Sequence, residues 1–298
     1  MVPMAPPTTA VVAHTKKTLG GGLAELREQL HRAGLDPYWY EVPKSRKAPG
    51  KVRKALKKGA ELIFVWGGDG MVQRCADALA SSSGGSTVAM AVLPAGTANL
   101  FAGNLGIPAD LATAVGIGLD GARRRLDLGK VNGEHFAVMA GAGFDGELVR
   151  GADRGLKDRM GRLAYVWTGL RQVHHKPVRA TIRVDGEDWF DGDASCVLLG
   201  NVSTIGGGIP AFVDASPDDG WLDVGVTTAH GPVQWARTLG RMATGQAERS
   251  PFVQTTRARR VRVDLGAPMT YELDGGARDR TTRLHAKVVP GAITVCVP

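Results

Sequence analysis

The sequence predicts an α/β N-terminal domain with a parallel sheet, followed by a C-terminal domain of antiparallel β-strands. Apolar, strand-length runs alternate with segments of helical periodicity up to about residue 125. Beyond that point, short apolar runs separated by glycine-containing turns predominate. A length of 298 residues is sufficient for two domains. We place the domains at residues 1–130 and 131–298.

In the N-terminal part, strands and helices are expected to alternate. The predicted strands are residues 9–13, 37–42, 62–66 and 88–93, and the predicted helices are residues 23–33, residues 52–58 and a helix beginning near Met71. Val72, Cys75, Ala76 and Leu79 mark the inner face of the last helix, because they are spaced by three and four residues. This alternation is typical of a parallel sheet covered by helices.

In the C-terminal part, turns connect short strands. Asn132-Gly133 lies between two strand-like runs and predicts a two-residue hairpin turn. The further predicted strands are residues 178–184, 196–199, 222–227, 261–265, 269–273, 283–289 and 293–297, with turns at Asp185-Gly186 and Pro290-Gly291. Helices are expected over residues 156–173 and 232–244.

The composition excludes several classes of protein. No apolar run approaches the roughly 18–20 residues of a transmembrane helix, and the segment MVPMAPPTTA does not resemble a signal peptide. The three cysteines are far apart and lack a CxxC motif, so we expect neither a disulfide framework nor a zinc site, and a cytoplasmic location. The formal charge of +8 favours an acidic partner, such as nucleotide phosphate or an anionic lipid surface.

A first glycine cluster, Gly67-Gly68-Asp69-Gly70, separates a predicted strand from a helix. Glycine leaves no Cβ between backbone N–H groups and a ligand, and a helix N-terminus attracts anions, so the cluster suits phosphate. Asp69 could bind Mg²⁺, orient a loop or contact the group that accepts the phosphoryl. A plain strand–turn–helix connection with an aspartate N-cap is about as probable on this motif alone.

A second cluster follows the next strand. Gly96 permits a turn, Thr97 offers a hydroxyl, and Asn99 offers an amide that can stabilise a loop or face a ligand. Loops at the carboxyl ends of neighbouring parallel strands converge on one crevice. Two glycine-rich loops at two strand ends therefore indicate a site more strongly than either alone.

These two motifs, VWGGDGMVQRCADAL and LPAGTANLFAGNLGIP, resemble the catalytic domain of the bacterial diacylglycerol kinase family, which includes sphingosine and ceramide kinases. The resemblance continues through LGKVNGEHFAVMAGAGFDG, Gly206-Gly207-Gly208 and the segment from Asp218 to Asp223. It implies a nucleotide-binding domain, a C-terminal β-sandwich, ATP and Mg²⁺ as cofactors, and phosphorylation of a lipid hydroxyl in phospholipid biosynthesis, at the membrane surface.

The resemblance also assigns residues. It implies that the nucleotide contacts the first loop and the second, at Gly67, Gly68, Asp69, Gly70, Met71, Gly96, Thr97 and Asn99. It implies a Mg²⁺ site at Asp219 with the backbone carbonyls of Ser216 and Trp221. Without the resemblance, the residues around Asp219 would be interpreted as a β-turn.

This chain departs from the family pattern at several positions. Met71 and Leu100 stand where the family commonly has Thr and Asp, and Lys16, Lys17 and residues 20–22 replace an Asn-Pro pair. Gly276 stands where the family has the glutamate that takes the acceptor's proton. Asp274 or Asp69 could substitute as the catalytic carboxylate.

Three functional hypotheses stay open: a lipid kinase, a nucleotide- or lipid-binding protein with little turnover, and a kinase of a soluble substrate such as NAD. The eight cations within residues 44–58 are candidate contacts with anionic headgroups. They lack interleaved aromatic residues, so nucleic acid is not an expected partner. A homodimer is also left open, because no motif encodes the oligomeric state.

Overall fold

The computed structural model describes residues 7–143, 177–205 and 209–298. The chain divides into two units, each compact over its described residues: a first unit of Met1–Leu126 with Gly291–Pro298, and a second unit of Asp127–Pro290. The helix predicted at residues 156–173 and the run Gly206-Gly207-Gly208 lie outside the described residues.

The first unit alternates strands with helices. In chain order these are β1 (Thr9–His14), α1 (Gly22–Arg32), β2 (Tyr38–Val42), α2 (Ala48–Lys57), β3 (Leu62–Gly67), α3 (Asp69–Ala80), β4 (Ala89–Pro94), α4 (Leu100–Asn104) and α5 (Leu111–Asp120). All residues of β3 and β4 are buried, as expected for central strands of a parallel sheet. Helix α2 begins four residues before its predicted start, at Ala48, with a proline in its first turn.

The sheet of the first unit is parallel, in the order β2-β1-β3-β4. From β1 the chain goes to β2 on one side and then crosses to β3 on the other side. This change of direction makes a topological switch point, and in open α/β sheets ligands bind outside the carboxyl ends of the strands at such a point. The strand ends that meet at this edge are His14, Gly67 and Pro94.

The second unit is built mainly of antiparallel strands. Its elements, with two strands shared with the first unit, are β5 (Ala122–Val131), β6 (Glu134–Phe136), β7 (Met139–Ala142), β8 (Val178–Val184), β9 (Glu187–Ala194), β10 (Cys196–Gly200), β11 (Thr204–Ile205), β12 (Ile209–Pro210), β13 (Leu222–Thr227), α6 (Gly231–Ala243), β14 (Val253–Ala258), β15 (Arg260–Leu273) and β16 (Gly276–Val297). The predicted order of an α/β part followed by an antiparallel β part is confirmed.

The core of the second unit follows from alternation along these strands. Val261, Val263 and Leu265 on β15 are buried, whereas Arg260 before them and Arg262 between them are exposed. Leu284, Ala286 and Val288 repeat the pattern on β16. Alternation with a period of two places one face against the core and leaves a polar outer face.

The hairpin at Asn132-Gly133 is confirmed: both residues have positive φ, 49° and 96°, and β5 pairs with β6 across them. The predicted turn at Pro290-Gly291 is wrong, because both residues lie inside the continuous strand β16. Gly291 has a φ of 54°, which a glycine adopts without strain. The two runs expected on either side are therefore one long strand that contributes to both units.

Several elements were not predicted from the sequence, among them α5, β9 and β14. Helix α5 has a buried face of Leu111, Ala114, Val115 and Gly118, a helical spacing that was present in the sequence. Strands β9 and β14 are largely polar, so no hydrophobic alternation marks them. They are edge-type strands whose pairing comes from their neighbours β8 and β13.

Candidate functional site

The two glycine loops lie in direct contact at the carboxyl edge of the sheet. A Cβ built on Gly96 would lie 2.4 Å from the Cα of Gly68, and one built on Gly68 would lie 2.9 Å from the Cα of Gly96. Ala95 N donates to Gly67 O at 3.0 Å, which holds the two strand ends together. Only glycine at both positions permits this backbone approach, so the spatial convergence expected from the sequence is present.

Asn99 stabilises the second loop from inside. Its Oδ1 accepts a hydrogen bond from Gly96 N at 2.8 Å, and its Nδ2 donates to Pro94 O at 3.0 Å and to Gly96 O at 3.1 Å. The backbone of Asn99 is left-handed, with φ 49°. An asparagine tolerates this conformation and provides the three bonds at once, which explains the residue type.

Asp69 connects the first loop to the second. It is the first residue of α3, and its Oδ1 accepts a hydrogen bond from Phe101 N at 3.1 Å. Burial raises the pKa of Asp69, while the N–H groups of Phe101, Leu100 and Asn99 oppose the shift. The carboxylate thus holds the start of α4 beside α3. Phe101 was not among the predicted site residues, because its backbone N–H carries no sequence pattern.

The remaining residues of the two loops differ in exposure. A Cβ on Gly67 would lie 2.6 Å from the Cβ of Met71, which is buried, so Met71 packs beneath the first loop. Gly70 is exposed with open space around its Cα. Thr97 is exposed, and its hydroxyl has no hydrogen-bond partner in the part of the chain that the structure describes. The exposed backbone and hydroxyl face solvent, where a ligand can reach them.

The end of β1 adds positive charge at the same edge. The buried Trp66 donates from Nε1 to Lys17 O at 3.0 Å and holds the segment that carries Lys16 and Lys17. Burial and then the charge of Lys17 lower the pKa of His14, which favours its neutral form. By contrast, Gly21 N donates to the carboxylate of Glu25, so the protein's own anion already lies at the N-terminus of α1.

In the second unit, the predicted metal ligands lie in a loop held by a buried aspartate. Asp127 N donates to Pro217 O at 2.6 Å, and Asp127 Oδ2 accepts from Gly220 N at 2.7 Å. Asn201 in turn donates from Nδ2 to Asp127 O at 3.0 Å. Asp127 and Asn201 were not predicted, since they lie far from this loop in the sequence.

The carboxylate of Asp219 has nitrogen donors around it in this loop. Its Oδ1 accepts from Trp221 N at 2.9 Å, and its Oδ2 is paired with Arg257. Arg257 also lies 3.6 Å from Asp223 Oδ1. One guanidinium therefore serves two carboxylates, and the local charge is net negative.

Asp223, beside Arg257, has a raised pKa chiefly because it is buried. Burial raises its pKa to about 6, the carboxylates of Asp219 and Asp214 add to the shift, and Arg257 opposes it. A donor set of carboxylate and carbonyl oxygens in a field of excess negative charge fits a hard divalent cation such as Mg²⁺. Both oxygens of Asp219 are engaged by nitrogen donors, so a cation there would have to displace Arg257, and the metal role of Asp219, Ser216 and Trp221 stays a prediction.

The pKa of Asp223 predicts a pH-dependent stability. Between its ordinary value of 3.8 and about 6, the folded chain keeps a proton that the unfolded chain has lost. The free energy of unfolding should therefore fall by about 1–2 kcal/mol as pH rises through this window, allowing for solvent screening. Denaturant unfolding of the wild type and of Asp223→Asn at acid and neutral pH measures the difference. A difference between the two proteins that does not change with pH would contradict the prediction.

Comparison with known proteins connects both units to one family. Residues 14–131 match the diacylglycerol kinase catalytic domain, and residues 138–297 match the YegS C-terminal NAD kinase beta sandwich-like domain. The chain belongs to the diacylglycerol kinase family of lipid kinases. The fold class predicted from the sequence, including the sandwich-like second part, is therefore confirmed.

Individual relatives support the assignment of this chain to the lipid kinase family. A Pseudomonas aeruginosa protein named "Probable lipid kinase YegS-like" is 34% identical over 252 residues, which cover 83% of this chain and 80% of that protein. The diacylglycerol kinase of Bacillus subtilis is 29% identical over 255 residues, which cover 85% of this chain and 83% of that protein. These relatives extend over most of both units.

Solved structures agree on the fold. A diacylglycerol kinase from Bacillus anthracis superposes with a TM-score of 0.79 at 24% identity, covering 98% of this chain and 97% of that one. An NAD kinase from Archaeoglobus fulgidus in complex with ATP superposes with a TM-score of 0.53 at 10% identity, covering 97% of this chain and 93% of that one.

Among the described helices of this family member, none has the length and apolar character to span a membrane.

Gly276, the position where the resemblance implies a catalytic glutamate, has the side chain of an arginine beside it. A Cβ on Gly276 would lie 2.8 Å from Arg278 Nη1. That guanidinium donates to Gly276 O at 2.7 Å and from Nε to Glu134 Oε2 at 2.8 Å. The side chain of Arg278 thus fills space that a carboxylate at position 276 would need, a feature visible only in the structure.

Asp274, the predicted substitute, holds backbone in place. Its Oδ2 accepts from Ala137 N at 2.7 Å, and its Oδ1 accepts from Val138 N and Met139 N, both at 2.9 Å. Both carboxylate oxygens are engaged, and the residue is buried. The catalytic assignment of Asp274 stays a prediction, and the geometry favours a positioning role for it.

The basic segment at residues 44–58 contains α2 and the four residues before it. Lys51 and Lys58 lie over the rings of Tyr40 and Tyr38, at 5.8 Å and 5.9 Å from the ring centroids. Tyr38 is 41% exposed, because β2 is the edge strand of the sheet. Residues 150–162 are a further basic segment of the sequence, and they lie outside the described residues.

Proposed function

We propose that this chain transfers the γ-phosphate of ATP to the hydroxyl of a membrane lipid such as diacylglycerol. The observation that carries the proposal is the contact between Gly68 and Gly96 at the switch point of a parallel sheet. It brings two loops with open backbone to one edge, next to the N-terminus of α3 and to Lys16 and Lys17. This is the arrangement that binds polyphosphate in other α/β proteins.

In this proposal, Gly67, Gly68 and Gly70 let the nucleotide phosphates approach the backbone. Thr97 offers its exposed hydroxyl to the nucleotide, and Asn99 keeps the second loop in place. Asp69 acts from between the loops, because its carboxylate orders the start of α4. Met71 supports the first loop from below in place of the family's threonine.

The proposed reaction depends mainly on positioning and charge stabilisation. The acceptor oxygen forms a bond to the γ-phosphorus, the bond from that phosphorus to the bridging oxygen breaks, and ADP leaves. The hydroxyl proton passes to a base. Mg²⁺, when bound, would supply charge that stabilises the loop of Asp219, Ser216 and Trp221.

A second candidate, a nucleotide- or lipid-binding protein with little turnover, rests on the environment of Gly276. There the guanidinium of Arg278 occupies the space beside the missing carboxylate, and both oxygens of Asp274 bind backbone. A positioned base is typically worth 10²–10⁴-fold in rate.

A kinase of a soluble substrate such as NAD is the third candidate. Incubating the purified chain with Mg-ATP and NAD, and measuring NAD phosphorylation, tests it.

The deciding experiment incubates the purified chain with Mg-ATP and lipid extracts and detects phosphorylated lipids by mass spectrometry. We expect a phosphorylated lipid whose formation falls on the order of 100-fold in Asp69→Ala. Asp69→Asn keeps an oxygen that accepts from Phe101 N. It should retain most activity if Asp69 positions the loop, and lose as much as Asp69→Ala if Asp69 is the base. Absence of any phosphorylated lipid across diverse extracts would contradict the kinase proposal.

A further inference from the structure

A basic groove lies on the outer face of the second unit. It has a volume of about 500 Å³ and is lined by residues of β5, β8, β15 and β16 together with two hairpin turns. Six of its lining residues are cationic or can become so: Lys130, Arg183, Arg260, Arg262, His285 and Lys287. None of the lining residues is acidic. We refer to this surface as the basic groove.

The strand register places like charges opposite one another in the groove. Arg260 pairs with Lys287 across β15 and β16. Arg262 pairs with Arg183 across β15 and β8. Like charges directly opposite in an antiparallel ladder are destabilising, so this arrangement costs stability unless an anion is bound.

The protein's own acids neutralise only part of this charge. Asp188 pairs with Arg183, and Asp264 pairs with Arg262. Lys130, Arg260 and Lys287 have no acidic partner within the residues that the structure describes. Three exposed or half-exposed cations therefore converge without a counter-ion from these residues.

Two hairpin turns fix the rims of the groove. Asn132 N donates to His285 O at 3.0 Å, and Asn132 Oδ1 accepts from His285 N at 2.9 Å, so the first turn is held to β16. The carboxylate of Asp185, in the second turn, accepts from Arg259 N and Arg260 N. The cations are thus carried on paired strands with held turns, and the groove is preformed.

We propose that the basic groove binds the phosphate-bearing headgroups of anionic lipids and is a membrane-docking surface of the second unit. Arginine and lysine are the side chains that bind phosphate oxygens. No aromatic side chain lines the groove, which disfavours the base stacking used in single-strand nucleic-acid binding. The proposal deepens the proposed function, on which it rests, since a lipid kinase must meet its substrate at a membrane.

The test is sedimentation with vesicles of equimolar phosphatidylglycerol and phosphatidylcholine, and with vesicles of pure phosphatidylcholine. We expect the wild-type chain to bind only the first. The triple variant Lys130→Gln, Arg260→Gln, Lys287→Gln should bind about 100-fold more weakly, at roughly fivefold for each cation near the surface. Its thermal midpoint should equal or exceed that of the wild type, because like charges are removed.

The comparison variant removes three exposed cations from α2, which belongs to the other candidate headgroup surface: Arg53→Gln, Lys54→Gln, Lys57→Gln. It changes the net charge equally and should weaken vesicle binding by less than about threefold if the groove is the docking surface. An equal loss in both triple variants would overturn the proposal in favour of overall charge. Groove-dependent binding to a DNA oligonucleotide without vesicle binding would also overturn it.

The same proteins separate this proposal from the kinase proposal. Phosphorylation of diacylglycerol in neutral detergent micelles does not require docking on an anionic surface. Groove-dependent vesicle binding by a protein that phosphorylates no lipid supports the docking surface and overturns only the kinase activity. Lipid phosphorylation together with unchanged vesicle binding in the groove variant overturns only the docking surface.

Discussion

Gly96→Ala is expected to reduce ATP affinity and lipid phosphorylation by on the order of 100-fold or more. The added Cβ would lie 2.4 Å from the Cα of Gly68 and 2.5 Å from Asn99 Oδ1. Neither neighbour is the end of a flexible side chain, because one is backbone and the other is held by three hydrogen bonds. The two loops must separate, and the free energy of unfolding should fall by about 1–3 kcal/mol.

Calorimetric titration with ATP and denaturant unfolding measure the two effects separately. Gly68→Ala should give a smaller loss, since its Cβ would lie 2.9 Å from Gly96 rather than 2.4 Å. Gly103→Ala is the matched control, because it lies in the helix α4 of the same motif and has open space around it. It should keep nucleotide affinity and gain up to about 1 kcal/mol of stability. Unchanged ATP affinity in Gly96→Ala would remove the basis of the nucleotide site.

Gly276→Glu is expected to raise turnover by about 10²-fold while ATP affinity stays the same. The substitution supplies the carboxylate that the family has at this position and alters none of the predicted nucleotide contacts. The backbone at position 276 does not have a positive φ, so a side chain is permitted. The neighbouring guanidinium of Arg278 must move, and its charge keeps the new carboxylate ionised but makes it a weaker base. We therefore place the gain at the low end of what a base provides.

Gly276→Gln is the control that distinguishes the effect of a general base from the effect of a larger side chain. Glutamine has nearly the same size as glutamate and would displace Arg278 in the same way, but it cannot accept the proton. Initial rates of lipid phosphorylation at saturating ATP should rise for the glutamate variant and not for the glutamine variant. Equal turnover in the wild type and both variants would show that the reaction proceeds without a carboxylate at this position, and would favour water or Asp69 as the proton acceptor.

Both expectations share a physical origin. Phosphoryl transfer requires little covalent chemistry from the protein, so most of the rate depends on loop geometry and charge. A change of a few tenths of an ångström between Gly68 and Gly96 affects every step that uses the nucleotide. A missing base would affect only the transfer of the proton, so the proposed nucleotide loops are compatible with glycine at position 276.

The sequence alone determined the local features. Alternation of apolar runs predicted the parallel and antiparallel parts, and Asn132-Gly133 and Asp185-Gly186 predicted turns that have positive φ in the structure. The motifs predicted which residues follow β3 and β4 at the sheet edge. These features depend on neighbouring residues, whose φ/ψ preferences and periodicity can be inferred without the rest of the chain.

Only the tertiary structure decided which distant residues meet. The bond from Phe101 N to Asp69, the support of the loop at residue 220 by Asp127, and the guanidinium of Arg278 beside Gly276 all join residues through packing. The basic groove is a further case, because Lys130, Arg260 and Lys287 become neighbours through the register of their strands. A shift of one residue in that register would turn these side chains to the opposite face, and register is set by burial of the whole core rather than by any one strand.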